Sequence, residues 1–352
     1  MPTALVNALV VLPPEIGGPR ITTLRFDSSR ILSLDKPPRR GDVVHDLRGW
    51  AVYPGLINAH DHLELNHYPR TRFRPVYGNA HQWGEDFLRV LDEEPFASLR
   101  RVPLDQQCRM GGIKNVRSGV TTVAHHNPLH RPLRDRNFVV RVVQRYGWAH
   151  SLHFEKDVPG SYRRTPRGAP WLIHLAEGTD EIAADELHQL DRLNCLHSNT
   201  VLIHGVGLSE ADRKQALMAG AGLVWCPSSN FYLLGRTATV AEFAAAGRLA
   251  LGTDSRLTAD GDMLDELRAA ATTSQLSHEQ LFRAVTTDAA NLLRLHDVGA
   301  LLPGYLPDFF ITPADRPAVD PYWALPQLRP EDIEAVFVGG APRFKRTGGL
   351  WD

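Results

Sequence analysis

The rhythm of hydrophobic and polar positions changes near residue 50. Before it, short apolar runs (TALVNALVVL, ITTLRF, RILSL, VVHDLRG) are cut by Pro, Gly and Asp turns and show no helical period, which predicts strand, turn and strand again. From about residue 51, short apolar runs alternate with longer amphipathic segments, the pattern of βα units around a parallel sheet. The predicted strands are WAVYPGLINAH, GVTTVAHH, GWAHSLHF, PWLIHLAEG, NTVLIHGVGL, AGLVWCPSSN and RLALGTDS. Helical text lies between them: QWGEDFLRVLDEE, QQCRMGGIKNVRSG, RNFVVRVVQRYG, ADELHQLDRLNCL, SEADRKQALMAG and TVAEFAAAG. Two further helices follow, DMLDELRAAATT and SHEQLFRAVTTDAANLLRL. LPDFFIT and IEAVFVGG then return to strand text that can pair with the first strands. The pattern predicts a central barrel over residues 51–304 and a small β-domain built from residues 1–50 and 305–352.

Strands of a parallel barrel are buried on both faces and read as almost pure apolar text. Polar residues at their C-terminal ends are therefore conspicuous, because that end is the catalytic face of such barrels. One strand ends on His60 and His62, which share a face because alternate strand residues do. The others end on His174 with Glu177 just beyond, on His204, and on Asp254. A single histidine at a strand end is more often a hydrogen-bonded structural residue, and a lone Asp before Ser can be a helix cap. The joint pattern HDH, HLAEG, IHG and GTDS, in barrel order, is what a divalent cation of borderline softness needs.

Composition narrows the classes. The chain has 352 residues with 39 Lys plus Arg against 40 Asp plus Glu, so no broad field points to nucleic acid or an anionic membrane. Sixteen histidines suit metal ligation and proton transfer. Cys108, Cys195 and Cys226 are far apart and never in a CxxC pair, which fits a reducing compartment. The N-terminal apolar run has no leading Lys or Arg and reads as a strand, not a signal peptide. No apolar stretch is long enough for a membrane span. The expected setting is cytoplasmic, with a small-molecule substrate as partner. Oligomeric state stays open, a homo-oligomer being compatible with apolar barrel helices.

These motifs resemble the amidohydrolase superfamily, in particular its cytosine deaminase and chlorohydrolase (triazine hydrolase) branch. PGLINAHDHLE, HLAEG, TVLIHGVGLSE, LVWCPSSN and GTDS are similar to the motifs of its first, fifth, sixth, seventh and eighth strands, and DVGALLPGYLPDFFI to its closing segment. The resemblance implies an α/β fold, a (β/α)8 TIM-like barrel with a small β-sandwich domain from both termini. It implies one divalent metal, zinc ahead of iron or manganese, held by His60, His62, His174 and Asp254. Glu177 and His204 would then be the acid/base and polarising groups, and Asp254 would also take the water's proton. Two-metal relatives carry a carboxylated lysine, and the only lysine near a middle strand is Lys156 in loop-like text, which favours one metal. One departure stands out. Between the second strand and HLAEG only AHSLHF reads as a strand, and EKDVPGSYRRTPRGAP is a minimal crossover. One βα unit is expected to be shortened or lost, which compresses the barrel.

The implied activity is attack of a metal-activated water on an sp² carbon, deaminating an amino-substituted N-heterocycle or a related amidine or guanidine. The alternatives are hydrolysis of a cyclic amide, an N-acyl group or a carbon–halogen bond at the same site, and a non-catalytic binding protein. Substrate-facing candidates are Asn66, Trp83, His126, His153 and Arg256. Each has a plainer reading. Trp83 can pack within its helix, His126 can belong to a turn with Asn127 and Pro128, and Arg256 can hold a loop. Ser228, Ser229 and Asn230 are turn residues or pocket donors, and Asp61 is expected to face away from the metal.

Overall fold

The computed structural model describes residues 1–259, 261–314 and 320–350. The first five strands are β1 (Thr3–Val10), β2 (Arg20–Phe26), β3 (Ile31–Leu34), β4 (Val43–Asp46) and β5 (Trp50–Pro54). Eight more follow: β6 (Leu56–Asp61), β7 (Val120–His125), β8 (Arg141–Val142), β9 (Gly147–Ser151), β10 (Trp171–Leu175), β11 (Thr200–His204), β12 (Gly222–Trp225) and β13 (Leu249–Leu251). The last three are β14 (Phe309–Pro313), β15 (Ala335–Val338) and β16 (Ala341–Lys345).

The strands at the two ends of the chain pair with each other. They form one mixed eight-stranded sheet in the order β16-β15-β14-β5-β1-β2-β3, with β4 on β1. Two stacked sheets were expected from the sequence. A single sheet is described because β5 pairs with β1 on one side and with β14 on the other, joining the N-terminal and C-terminal strands. The predicted strand WAVYPGLINAH is thereby split at Gly55: Trp50–Pro54 serves the terminal sheet and Leu56–Asp61 begins the central one. A side chain at position 55 would place its Cβ 2.2 Å from Thr121 Oγ1, so only glycine fits the crossing.

The eight central strands are parallel, in a three-stranded sheet β6-β7-β8 and a five-stranded sheet β13-β12-β11-β10-β9. Hydrogen bonds bridge both seams. Asp254 N–H donates to the His60 carbonyl at 3.1 Å, and the His126 ring reaches the Ala149 carbonyl at 2.9 Å. Gly252 permits the first approach, since a Cβ there would lie 2.6 Å from that of His60.

The middle of the chain departs from expectation in two places. RNFVVRVVQRYG was expected to be a helix. Among the described residues it holds the short strand β8 and no helix. Val139, Val140, Val142 and Val143 are β-branched, and such side chains favour extended backbone. The shortened βα unit is therefore missing its helix and keeps its strand. Conversely, the link before HLAEG contains a helix, Val158–Arg164. Asp157 caps it by accepting from Gly160 N–H at 2.8 Å, and Pro159 sits in the first turn, where a missing N–H costs nothing.

Candidate active site

The polar strand ends converge. His60 and His62 leave the end of β6, His174 leaves β10 and His204 ends β11, while Asp254 follows β13. His174 Nε2 lies 3.2 Å from His60 Nε2. Asp254 Oδ1 lies 3.7 Å from His60 Nε2 and 3.5 Å from His62 Nε2. All four side chains are buried. Burial, reinforced by neighbouring imidazoles, holds His62 and His174 well below the usual histidine range, so both rings are neutral with a lone pair to offer. Burial opposes the charge on Asp254, but the surrounding histidines, His60 first among them, outweigh it and hold the carboxyl well below its ordinary value.

Neighbouring groups fix each orientation. Asp254 Oδ2 accepts from Ser229 Oγ at 2.8 Å and Thr258 Oγ1 at 2.7 Å, which leaves Oδ1 turned to the imidazoles apart from the Ser255 N–H at 2.8 Å. His126 stands behind His60. A carbonyl can only accept, so neutral His126 donates Nε2–H to Ala149 O and its Nδ1 must accept. His60 Nδ1, 3.3 Å away, is then the donor, and the lone pair of His60 is left on Nε2, facing His174 and Asp254. Asp61 points away from this cluster, its carboxylate held by Lys114 at 3.0 Å, Asn115 at 2.7 Å and Asn66 at 2.7 Å. Imidazole nitrogens and a carboxylate oxygen, with their partners fixed from behind, fit a divalent ion such as zinc; the ligand atoms of His60, His62 and Asp254, and those of His60, His126 and His174, lie close enough together to share one.

A second pair lies beside the first group. His204 Nε2 is 3.4 Å from Glu177 Oε2. The His204 Nδ1 accepts from Asn230 Nδ2 at 3.0 Å, which leaves the proton on Nε2. Asn230 is itself fixed by Thr237 Oγ1, which donates to its Oδ1 at 3.2 Å. Burial pushes His204 down to about 3, so the ring is neutral. Burial, with Asp254 and Glu186 nearby, pushes the Glu177 carboxyl well above its ordinary value, which favours its protonated form. His204 and Asp254 sit at φ +75° and +53°, a left-handed region uncommon for such residues and frequent at functional sites.

Both groups face a cavity of about 320 Å³. Its apolar wall includes Leu65, Trp83, Phe87, Phe154 and Leu233. Of the substrate-facing candidates, Trp83 lines it, with its ring stacked on Phe87 at 5.6 Å and its N–H on Thr71 O. The other four do not. Asn66 is buried under β6, where it accepts from Arg256 N–H. His126 backs His60. Arg256 is exposed, and His153 pairs with Glu85 on the outside. His153 lies past the end of β9, where strand alternation no longer applies. His150, inside β9, lines the cavity instead, its ring 4.9 Å from that of His174. Sequence reading also missed Glu186 and His81, which line the cavity from two helices. Neither breaks an apolar run, so no signal marked them.

The model of the Amidohydrolase family matches residues 165–349. The chain belongs to the amidohydrolase family. A relative from Desulfitobacterium hafniense (strain DSM 10664 / DCB-2), named 5-methylthioadenosine/S-adenosylhomocysteine deaminase, is 30% identical over 189 residues, covering 48% of this amidohydrolase and 44% of that protein. This chain thus spans under half the length of that relative. The protein of the same name from Pyrococcus furiosus (strain ATCC 43587 / DSM 3638 / JCM 8422 / Vc1) is 28% identical over 370 residues, 85% of this chain and 84% of that one. Among solved structures, atrazine chlorohydrolase TrzN from Arthrobacter aurescens TC1, complexed with zinc, superposes with a TM-score of 0.82 at 16% identity, covering 99% of this chain and 97% of that one. The amidohydrolase chain therefore shares the fold of that enzyme.

Proposed function

We propose that this amidohydrolase is a metal-dependent deaminase of an amino-substituted N-heterocycle or a related amidine or guanidine, with His60, His62, His174 and Asp254 as ligands of one zinc ion. The observation that carries this is the pairing of two groups on one cavity: His60, His62 and His174 gathered on the Asp254 carboxylate, and beside them Glu177 within 3.4 Å of His204. The deaminase relatives support the reaction class. The zinc complex of a shared fold supports the metal. We read the eight parallel strands as a compressed (β/α)8 barrel and the two-ended sheet as the companion domain.

A divalent ion held by these residues would supply a Lewis acid that brings a water's pKa to about 7. Asp254 Oδ1, the oxygen left facing the imidazoles, accepts the water's proton. His204 Nε2–H donates to the oxygen arriving at the substrate carbon and stabilises the charge that grows there. Glu177, whose carboxyl burial pushes up, delivers a proton to a ring nitrogen or to the departing amine. Trp83 offers a flat apolar face for the ring, and the surrounding apolar wall excludes bulk water.

The test is ammonia release by metal-loaded protein over aminopyrimidines, aminopurines, aminotriazines and guanidino compounds, with a chelated control. Chelator-sensitive release from any compound is the expected result. Silence across the panel, from protein shown to hold its metal, would overturn the deaminase reading. Glu177→Gln is expected to lower kcat by roughly 100-fold to 10,000-fold with metal content unchanged; turnover within a few-fold of wild type would remove Glu177 from the proton path.

A further inference from the structure

The loop that carries Glu177 and the helix that covers the cavity are tied together by contacts that the reaction above does not use. Ala176, just before Glu177, has φ +53°, a left-handed backbone that a residue with a side chain adopts only when something holds it. The holder is Glu186, on the helix Glu181–Arg192. Its Oε2 accepts from the Ala176 N–H at 2.5 Å. Glu186 is only 3% exposed, so this is a buried carboxyl group with a defined task. Its other oxygen, Oε1, lies 3.2 Å from Nε2 of His81. His81 stands in the first turn of the covering helix, Ala80–Val90, its ring stacked on His153 at 4.5 Å.

The start of that helix meets the Glu177 loop at three more points. Ala80 N–H donates to the Glu177 carbonyl at 2.9 Å, and Thr179 N–H to the Gly78 carbonyl at 2.7 Å. Asn79 Nδ2 donates to Asp180 Oδ2 at 2.5 Å. Glu186 is the one side chain in this set that grips both partners, one oxygen on the loop backbone and one on the helix.

We propose that Glu186 and His81 are positioning residues that aim Glu177, and that their pairing makes the seated helix a condition for that aim. The proposal rests on the reading of Glu177 as the proton donor. With Glu186 removed, the Ala176 N–H loses its acceptor and the strained backbone is free to relax. Glu177 then leaves its place 3.4 Å from His204. Misplacement of a catalytic group by about 1 Å can cost about 100-fold in rate. The ligands at β6, β10 and β13 are untouched, so substrate binding stays near normal.

The test uses metal-loaded full-length protein and whichever amino heterocycle it deaminates. Glu186→Ala is expected to lower kcat by about 30-fold or more while KM stays within about threefold. Glu186→Gln is expected to recover most of the loss, because its amide oxygen can still accept from Ala176. His81→Ala is expected to lose about tenfold in kcat, and the double variant to be no worse than Glu186→Ala alone, since both act through one link. Amide hydrogen exchange gives a readout independent of turnover. In Glu186→Ala the peptides over 174–178 and 80–90 are expected to exchange faster together, and in Glu186→Gln to stay near wild type. Should Glu186→Ala fail to fold, His81→Ala carries the same comparison on residues 80–90.

A kcat within twofold of wild type, or wild-type protection of both segments, would overturn the proposal. Unchanged turnover in Glu177→Gln would instead overturn the proton-donor assignment, and the exchange data alone would then decide whether Glu186 holds this backbone.

Discussion

His126 touches no part of the cavity, yet it sets which nitrogen of His60 carries the lone pair. Its Nε2–H donates to the Ala149 carbonyl, so its Nδ1 accepts a hydrogen bond from His60 Nδ1–H and the lone pair of His60 stays on Nε2. Groups that orient a ligand in this way typically change metal affinity by about 10–100-fold when removed. His126→Ala is expected to show a loss of that size in competition with a chelating dye, with kcat at saturating metal much less affected. Affinity equal to wild type would show that His60 needs no such support. The sequence shows why this role was hard to see. Period two puts His60 and His62 on one face from the text alone. In VAHHNP the same rule says that His125 and His126 face opposite ways without saying which faces the metal. The structure turns His125 toward Glu64, at 3.6 Å, and His126 toward His60. The supports of Asp254 were equally hidden, since Ser229 and Thr258 are ordinary turn and loop letters until the chain is folded.

At the scale of elements, the helix Leu104–Arg117 decides where the end of β6 can lie. It was legible as a helix, but its pair Gly111–Gly112 works against helix propensity and had no explanation in the text. The packing supplies one. A Cβ on Gly111 would sit 2.2 Å from the Leu63 carbonyl oxygen, one residue after His62. The helix therefore rests backbone against backbone under the turn that follows the two histidines. Asn115 and Lys114 of the same helix reach Asp61 from this position, at 2.7 Å and 3.0 Å. Gly111→Ala is expected to destabilise the protein by about 1–3 kcal/mol, the usual cost of forcing an extra carbon into a packed interior. Because the displaced segment carries His62, metal retained per chain should fall as well. Chemical denaturation and metal stoichiometry check both, and wild-type values in the two measurements would mean that the turn yields without cost. The helix predicted at RNFVVRVVQRYG failed for the complementary reason, as its apolar spacing fits a helix while its valines favour extended backbone.

For the whole molecule, apolar runs and turns marked most of the strands, but lateral order is a tertiary property that no run of letters states. The terminal strands were foreseen. Their single-sheet order was not, because β5 looked like the start of the first barrel strand and in fact joins β1 to β14. A covered ion pair ties this sheet at its far side to the loop before β4. Arg25, on β2, bonds Asp42 through Nε at 2.5 Å and through Nη2 at 2.9 Å, and both side chains are almost fully covered. The Arg25 hydrogen bond, with a further one from Arg39 N–H, holds the Asp42 carboxyl down to about 2, against 3.8 for the free group. A lowered folded pKa means that the unfolded chain binds the proton more readily. The pair's contribution is therefore complete above about pH 4, shrinks as pH falls toward about 2, and is gone below both values. In Arg25→Leu the Asp42 pKa returns toward that of the unfolded chain. Denaturation midpoints measured from pH 5 to pH 2 should then fall less steeply for Arg25→Leu than for wild type, by up to about one proton's worth of slope. Parallel curves for the two proteins would show that acid loosens the sheet elsewhere and that the Arg25–Asp42 bond adds nothing to its hold.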